Sequence, residues 1–258
     1  MNDETKIVLI TGAAKRLGRS IGLEMAKAGW DVAIHFGTSH AAADATVRDI
    51  QALGRRAIAI QADLEDETAV LSLIATCQAQ LGLPTCVVNN ASLFKYDLAS
   101  SFSYASLEAH MRTNLGAPLV LAKELYKARK NLPQGADLGV VINLLDQKLS
   151  NLNPDFISYT LSKAALSTAT IMLAQAFAPH LRVVGVAPGI TLVSGDQTEQ
   201  DFQKAHAMTP LGKSSTPDDV ARAVVYLAQA HAITGTTLYV DGGQHLKPLE
   251  RDVMFLTK

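Results

Sequence analysis

The segment that decides the fold is Ile7-Val-Leu-Ile-Thr-Gly-Ala-Ala-Lys-Arg-Leu-Gly-Arg-Ser-Ile-Gly22. Its first four residues are apolar, as in a strand that is buried on both faces of a parallel sheet. The chain then turns through Gly12 and Gly18 into a segment with the apolar spacing of a helix. Such a turn exposes backbone N–H groups at a helix N-terminus and suits a phosphate or pyrophosphate, although a tight turn without a ligand has the same pattern.

Strand-like and helix-like segments alternate along the rest of the chain. The pattern predicts strands over residues 7–10, 31–36, 57–61, 84–90, 139–145, 181–186 and 237–240, and helices over residues 41–53, 68–81, 106–130, 155–177 and 217–230. This alternation predicts an α/β fold, a Rossmann-type doubly wound parallel sheet of about seven strands with helices on both faces. We expect one domain over residues 1–258, with its core at about 5–245 and its ligand beyond the carboxyl ends of the strands.

Composition excludes several classes of protein. The chain has 258 residues, 48% of them hydrophobic, and a formal net charge of −1. No apolar run is long enough to span a bilayer, no basic tract suggests nucleic acid, and the histidines lack a metal-ligand spacing. The N-terminus lacks a signal-peptide pattern, and Cys77 and Cys86 suit reduced thiols better than a disulfide. We therefore expect a cytoplasmic protein with neither metal nor membrane contact.

Two residues that could carry proton chemistry lie four positions apart. Tyr159 and Lys163 occur in a segment with helical spacing, so both side chains should share one face of that helix. An ammonium near a tyrosine favours the phenolate and lowers its pKa, and a tyrosine tuned in this way can donate a proton in a reduction. Without further motifs, a plain pair on a helix face would explain the spacing equally well.

Further motifs give this pair a context. The order of Thr11-Gly12…Gly18, Asp63, Asn89-Asn90-Ala91, Asn114, Tyr159…Lys163 and Pro188-Gly189 resembles the short-chain dehydrogenase/reductase family over about residues 5–245. The resemblance implies that the two glycines bracket a cofactor pyrophosphate and that Lys163 holds the nicotinamide ribose. It also implies that Asp63 faces the adenine and that Asn114 supports a proton relay, unless Asn114 is an ordinary buried amide.

Two departures from the general family pattern point to one branch. Arg16 stands where a glycine is common, and Asp146 stands where the usual catalytic serine precedes the tyrosine by thirteen positions. Both departures, with residues 11–21 and 89–94, resemble the pteridine reductases. A carboxyl beside a tyrosine suits proton delivery to a ring nitrogen. An ionised Asp146 would raise the pKa of Tyr159 and so oppose Lys163.

The resemblance also implies the ligand contacts. Phe94 would stack on the substrate ring, unless it only packs its loop, and Arg16 would contact substrate and cofactor, unless it only clamps a phosphate. The expected substrate contacts are Arg16, Ser92, Phe94, Asp146 and Tyr159. The expected catalytic residues are Asp146, Tyr159, Lys163 and Asn114. The expected cofactor contacts are Gly12, Lys15, Arg16, Leu17, Gly18, His35, Thr38, Ser39, Asp63, Leu64, Asn90, Ala91, Ser92, Tyr159, Lys163, Pro188 and Gly189.

The end of the second predicted strand indicates which cofactor is used. An acidic residue there would bind the ribose hydroxyl of NAD, but residues 35–40 contain none. His35, Thr38 and Ser39 could instead accept the 2′-phosphate of NADPH. The pteridine reductases have an arginine at the position of Thr38, so this clamp is weaker here.

Three functions remain open at this stage. The first is an NADPH-dependent reductase that acts on the C=N bond of a dihydropterin or dihydrofolate, with Tyr159 as proton donor. The second is a carbonyl reductase for a 3-oxoacyl thioester or another ketone, and the third is a non-catalytic NADPH-binding protein. The nearly uncharged segment 164–177 and the resemblance suggest a homotetramer. Residues 194–207 could form a mobile flap or a plain surface helix, and residues 248–258 have no assigned role.

Overall fold

The computed structural model describes residues 6–133, 138–193 and 198–256 and has one seven-stranded parallel sheet at its centre. The strand order is β3-β2-β1-β4-β5-β6-β7, which is the doubly wound order with one strand added. The strands are β1 (Ile7–Ile10), β2 (Asp31–Phe36), β3 (Ala57–Gln61), β4 (Cys86–Asn89), β5 (Gly139–Leu144), β6 (Leu181–Pro188) and β7 (Thr237–Val240). The predicted Rossmann-type sheet is therefore confirmed.

Helices cover both faces of this sheet. They are α1 (Arg16–Lys27), α2 (His40–Ala52), α3 (Glu67–Gln80), α4 (Tyr104–Met111), α5 (Ala117–Arg129), α6 (Ile157–Phe177), α7 (Glu199–Ala207), α8 (Pro217–Gln229) and α9 (Val253–Leu256). None of the helices in the described part of the chain is both long and apolar enough to cross a membrane.

Alternate residues of the central strands enter two separate cores. Val8 and Ile10 of β1 pack with residues of α1, α2 and α8, whereas Ile7 and Leu9 pack with residues of α3 and α5. This follows from the period of two along a strand, and it explains why strands buried on both faces are apolar throughout. Cys77 and Cys86 are free buried thiols in these cores, as predicted.

The helices predicted over residues 106–130 and 155–177 differ in the structure. The predicted helix 106–130 begins at Tyr104 and is interrupted by a π-helical turn over Arg112–Gly116. The helix predicted from residue 155 begins at Ile157, because Phe156 has a left-handed backbone with φ of 57°. Of the segment predicted as a flap or a surface helix, residues 194–197 lie outside the described residues, and residues 199–207 form helix α7 with a capping box at Thr198.

The topology brings several chain segments to one edge of the sheet. The carboxyl ends of parallel strands lie on the same edge, so the residues after β1, β4, β5 and β6 meet there. These residues include Gly12, Asn90, Asp146 and Gly189. A cavity of about 270 Å³ opens at this edge, and about half of the predicted site residues, Asp146 and Tyr159 among them, line it.

Candidate active site

The turn after β1 is held by the turn after β4. The Thr11 hydroxyl accepts hydrogen bonds from the backbone N–H groups of Asn90 and Ala91, both at 3.0 Å. The Asn90 amide donates to the carbonyls of Thr11 and Gly12 at 2.9 and 3.2 Å. Gly12 has a positive φ of 63°, and a Cβ there would lie 3.0 Å from the Ala91 backbone. The predicted residues of both turns therefore form one rigid unit.

Gly18 lets helix α1 approach this unit closely. A Cβ at Gly18 would lie 2.4 Å from the Gly12 carbonyl oxygen and 2.6 Å from the Asn90 amide nitrogen, so only glycine fits. The N-cap residue of α1, Lys15, makes no side-chain cap hydrogen bond. A helix N-terminus whose first N–H groups lack a cap, beside a glycine turn, has the donors and the dipole that a pyrophosphate requires.

His35 lies in a different place from the one predicted. Its ring is 2% exposed, with Nδ1 accepting from the Gly12 N–H at 3.2 Å and Nε2 facing the Ala62 carbonyl at 3.1 Å. Burial lowers the pKa of His35, which keeps Nδ1 unprotonated and able to accept. The prediction that His35 contacts a 2′-phosphate is wrong, because the ring points into the fold and supports the glycine turn.

Arg16 occupies a position that usually favours glycine. It has a positive φ of 54°, which agrees with the glycine that is common there in the family it resembles. Its guanidinium donates to the Val193 carbonyl at 2.9 Å, across the mouth of the site. Leu17 lines the cavity, and Lys15 is exposed to solvent. These three residues thus stand at the rim of the cleft, where their predicted ligand contacts remain predictions.

The ends of β2 and β3 present the remaining predicted cofactor contacts. Thr38 is exposed, and Ser39 is the N-cap of α2 without a side-chain cap bond. Asp63 is exposed and accepts a hydrogen bond from the Glu65 N–H at 2.9 Å, while Leu64 is buried beside it. No carboxylate follows β2 within residues 37–40. The exposed hydroxyls there suit an anion better than the ribose diol that an acidic residue would bind.

Tyr159, Asp146 and Lys163 form a compact cluster at the end of β5. The Tyr159 hydroxyl donates to Asp146 Oδ2 at 2.7 Å, and the Lys163 ammonium donates to the Leu144 carbonyl at 2.7 Å. The Lys148 N–H holds the other oxygen of Asp146 at 2.8 Å. Tyr159 and Lys163 are 8% and 3% exposed. The structure thus brings together three of the four residues predicted to be catalytic.

The electrostatics of the cluster favour a protonated tyrosine. Burial and the adjacent Asp146 carboxyl raise the pKa of Tyr159 well above its ordinary value. Burial also raises the pKa of Asp146, and it lowers the pKa of Lys163 to about 8. From the sequence, either Asp146 or Lys163 could control the pKa of Tyr159. In the structure burial and Asp146 control it, and both raise it. The Lys163 nitrogen lies 5.8 Å from the Tyr159 ring centroid and makes no direct bond to its hydroxyl.

Asn114 fastens a loop beside this cluster. Its side chain lies in the π-helical turn, is 1% exposed, and exchanges hydrogen bonds with Leu93 N–H at 2.7 Å and Leu93 O at 2.9 Å. It also donates to Ser162 Oγ at 3.0 Å, next to the catalytic helix face. The Ser92 hydroxyl donates to Asn114 Oδ1 at 3.3 Å. The amide thus acts as a brace for the loop, and its predicted relay role remains a prediction.

Phe94 lies at the cavity wall with part of its ring covered. It stacks on Phe156 with centroids 4.3 Å apart and meets Tyr159 edge to face at 4.7 Å. It is nevertheless 43% exposed and lines the cavity, as do Pro188 and Gly189. Phe94 therefore packs within its own loop region and also keeps an exposed part at the cavity, where its stacking on a substrate ring remains a prediction.

Sequence reasoning missed the contribution of the C-terminal tail. Residues after β7 return to the cavity, and Lys247, Leu249, Asp252 and Met254 line it. No local motif marks these positions. The only signal is the pair Arg251-Asp252 in a mostly apolar segment, and it does not specify a partner.

Comparison with known proteins identifies the class of this site. The family model described as enoyl-(acyl carrier protein) reductase matches residues 12–245. The chain therefore belongs to the short-chain dehydrogenase/reductase family of oxidoreductases, and the predicted family is confirmed. Among curated relatives, the 3-oxoacyl-[acyl-carrier-protein] reductase FabG of Staphylococcus aureus is 31% identical over 247 residues, which cover 94% of this chain and 99% of the relative.

Solved structures place the chain near a narrower group. The crystal structure of FolM alternative dihydrofolate reductase 1 from Brucella canis, complexed with NADP, has a TM-score of 0.87 at 38% identity and covers 96% of each chain. The corresponding structure from Brucella suis, also in complex with NADP, has a TM-score of 0.86 at 37% identity, with 96% and 98% coverage.

Proposed function

We propose that this chain is an NADPH-dependent reductase that transfers hydride to the C=N bond of a dihydropterin or dihydrofolate. The observation that carries the proposal is the 2.7 Å hydrogen bond from the Tyr159 hydroxyl to Asp146, where the family usually has a serine. Similarity to the FolM dihydrofolate reductases supports it. The paired tyrosine and carboxyl suit protonation of a ring nitrogen better than polarisation of a ketone.

The residues at the sheet edge fit NADPH. The glycine turn and the N-terminus of α1, whose N-cap residue makes no side-chain cap bond, would hold the pyrophosphate, and Gly12 and Gly18 allow the close packing that brings the two together. Thr38 and Ser39 would face the 2′-phosphate, and the bound NADP in the FolM structures supports this choice. The remaining proposed contacts are Lys15, Arg16, Leu17, Asp63, Leu64, Asn90, Ala91, Ser92, Tyr159, Lys163, Pro188 and Gly189. Bound NADPH supplies the hydride.

Tyr159 supplies the proton. Hydride adds to the carbon of the C=N bond while the tyrosine proton goes to the nitrogen, so that the product is an amine with one C–H and one N–H bond more. The raised pKa of Tyr159 keeps that proton in place at neutral pH until the nitrogen accepts it. Asp146, whose pKa is also raised, can return a proton from solvent to the phenolate. Lys163 and Asn114 act as supporting catalytic residues.

The cavity suits a flat heterocycle. Its volume of about 270 Å³ is close to the smallest volume that is typical of small-molecule sites, which is roughly 300 Å³. We assign Phe94 to the ring face and Asp146 and Tyr159 to the ring nitrogens. Ser92 and Arg16 complete the proposed substrate contacts from the rim.

A carbonyl reductase is the second candidate. The 31% identity to a 3-oxoacyl reductase favours it. Asp146 disfavours it, because the adjacent carboxyl makes the tyrosine a weaker acid, and a ketone oxygen is a much weaker base than a ring nitrogen.

Assembly and location complete the proposal. Leu161, Ile171 and Met172 of α6 are half or more exposed, and we propose that they meet partner subunits in a homotetramer. A monomer mass in small-angle X-ray scattering would refute this. We further propose a single domain over residues 1–258 and a cytoplasmic location, which the two free thiols support.

The test is NADPH consumption by the purified protein with dihydrobiopterin, dihydrofolate and a panel of 3-oxoacyl and other ketones. We expect turnover with a dihydropterin or dihydrofolate that exceeds turnover with every ketone. Turnover with ketones alone would establish the second candidate. Binding of NADPH without turnover of any of these substrates would support the third function, a non-catalytic NADPH-binding protein.

A further inference from the structure

The C-terminal tail forms one wall of the cavity. Leu249, Asp252, Val253 and Met254 line it, although they lie beyond the last strand of the sheet. The family model ends at residue 245, before this segment begins. The tail therefore lies outside the segment that the family model matches.

Asp155 anchors the tail to the segment that precedes helix α6. Its carboxylate is completely buried and accepts two-pronged hydrogen bonds from the Arg251 guanidinium, at 2.8 Å from Nε to Oδ2 and 2.8 Å from Nη2 to Oδ1. The Asp252 N–H donates to the same carboxylate at 2.7 Å. The Tyr96 hydroxyl donates to it at 3.4 Å from the Phe94 loop. A two-pronged, charge-assisted bond of this kind fixes orientation as well as position.

The anchor presents the Asp252 side chain to the cavity. Its Oδ1 accepts from the Met254 N–H at 3.2 Å, and its Oδ2 lies 3.6 Å from the Lys148 ammonium. Lys148 is buried and directs its strongest bond, at 2.6 Å, to the Asp155 carbonyl. The Asp252 side chain is 21% exposed, and each oxygen keeps acceptor capacity beyond these contacts.

Asp252 also lies within electrostatic reach of the proton donor. Its charge contributes to raising the pKa of both Asp146 and Tyr159, and all three residues line the same cavity. The Lys148 ammonium, 3.6 Å from Asp252 Oδ2, opposes this charge. A ligand between Tyr159 and the tail would therefore meet an acceptor on the tail side as well.

We propose that Asp252 is a specificity-determining residue that accepts hydrogen bonds from the amino group and neighbouring ring N–H of a 2-amino heterocycle. This deepens the proposed function and rests on it. Adjacent N–H donors match the two oxygens of a carboxylate, whereas an oxoacyl chain has no such donors. Asp252 thereby favours amino-heterocycles over ketones.

The test compares two pteridines that differ in one substituent. Pterin has the 2-amino group, and lumazine has a 2-oxo group in its place. Binding of each to the full-length protein with NADP⁺ is measured by fluorescence quenching for the wild type, Asp252→Asn and Glu250→Gln. Glu250 is exposed on the same tail and does not line the cavity, so it is a matched control for loss of charge.

We expect the wild type and Glu250→Gln to bind pterin about tenfold or more tighter than lumazine, as a charged hydrogen bond provides. Asp252→Asn should reduce this preference to within about threefold, because an amide retains one acceptor but not the charge. Arg251→Lys, which loses the two-pronged anchor, should weaken both ligands together. If Asp252→Asn also weakens both ligands together, or neither, Asp252 is only structural and the proposal fails.

Dihydrobiopterin turnover by the wild type is measured in parallel and reports on the proposed function alone. Turnover with an unchanged pterin preference in Asp252→Asn would retain the function and reject the role of Asp252. If the wild type shows no dihydrobiopterin turnover but its pterin preference is lost in Asp252→Asn, the role of Asp252 is supported and the proposed function is rejected. Absence of both pterin binding and turnover in the wild type would reject both.

Discussion

The glycine-turn side of the cleft and its tyrosine side differ in what their residues do for the fold. On the glycine-turn side, Thr11, Asn90 and His35 bond to backbone atoms of the turn, and Gly18 packs against it. Their polar groups are paired, and the same contacts that shape the site also join strands β1, β2 and β4. On this side, the residues that shape the site also stabilise the protein.

The tyrosine side combines titratable groups whose charged forms are disfavoured by burial. Burial raises the pKa of Asp146 and Tyr159 and lowers the pKa of Lys163 to about 8. Each change means that the folded state disfavours the charged form of that group. The comparison teaches that mutations should act differently on the two sides. Changes at the glycine turn should reduce stability and cofactor binding together, whereas changes in the tyrosine cluster should separate stability from activity.

The largest effect is expected at the proton donor. Tyr159→Phe should lower kcat with a dihydropterin by about 10³-fold, because the ring remains but the hydroxyl proton is gone. The NADPH dissociation constant should stay within about threefold, and the melting temperature should not fall, since the hydroxyl bonds only to Asp146. Steady-state kinetics with a fluorescence titration checks this. Equal loss of NADPH binding and turnover would contradict the separation.

The second effect concerns the glycine turn. Gly18→Ala should weaken NADPH binding by about 100-fold and lower the free energy of unfolding by about 3 kcal/mol, because its Cβ would strike backbone atoms. Gly22→Ala on the same helix is the control, since its Cβ would meet only methyl groups at 3.6 Å or more. It should leave binding intact and stabilise by up to about 1 kcal/mol. Calorimetry measures the stability of both variants, and titration measures their NADPH binding. A Gly18→Ala protein that is stable and binds NADPH normally would contradict this prediction.

The third effect is a pH-dependent stability at Lys163. Its drop in pKa from 10.5 to about 8 corresponds to about 3 kcal/mol, and the bond to the Leu144 carbonyl offsets about 1 kcal/mol. Lys163→Met should therefore be inactive yet more stable than the wild type by about 2 kcal/mol at pH 7. The folded state releases the lysine proton above about pH 8 and the unfolded state only above about 10.5, so the difference should shrink across that range.

Urea unfolding of both proteins at pH 7 and pH 9.5 measures this difference. Lys213→Met removes an exposed lysine and should change stability by less than about 0.5 kcal/mol at either pH. A Lys163→Met protein that is less stable at pH 7, or a difference that grows with pH, would show that the buried ammonium stabilises the fold.

The smallest effect concerns cofactor choice. Thr38 is exposed at the end of β2, and an arginine there can pair with the 2′-phosphate of NADPH. Thr38→Arg should increase the preference for NADPH over NADH by about tenfold, with Thr38→Gln as an uncharged control of similar reach. Titrations with both cofactors measure the ratio. An unchanged ratio would mean that the 2′-phosphate lies elsewhere.

The sequence predicted the parts that depend on local pattern. Strands β1, β2, β3 and β7 have the predicted bounds, because apolar runs between turn residues mark them clearly. The position of the His35 side chain was predicted wrongly because β2 is buried on both faces. In such a strand, the alternation of polar and apolar residues does not distinguish a side chain that points into the fold from one at the strand end. The π-helical turn that holds Asn114 likewise has no sequence pattern of its own.

The tail escaped prediction for another reason. Arg251 and Asp155 are 96 positions apart, and a single sequence does not indicate that two charges so distant pair in the fold. The same limit applied to Tyr159, whose pKa depends on burial as well as on Asp146. Pairing and burial are properties of the folded chain, so the balance between Asp146 and Lys163 required the structure.

The most direct test of the account is the substrate preference of Asp146→Ser. We propose that the Tyr159–Asp146 pair makes the site suited to a ring nitrogen, and serine restores the residue that the family usually has. The measurement is kcat/KM for dihydrobiopterin and for a 3-oxoacyl thioester in wild type and variant. We predict that pterin turnover falls by about 100-fold while ketone turnover is unchanged or rises. Pterin turnover that persists in the variant, or an equal fall for both substrates, would contradict the account.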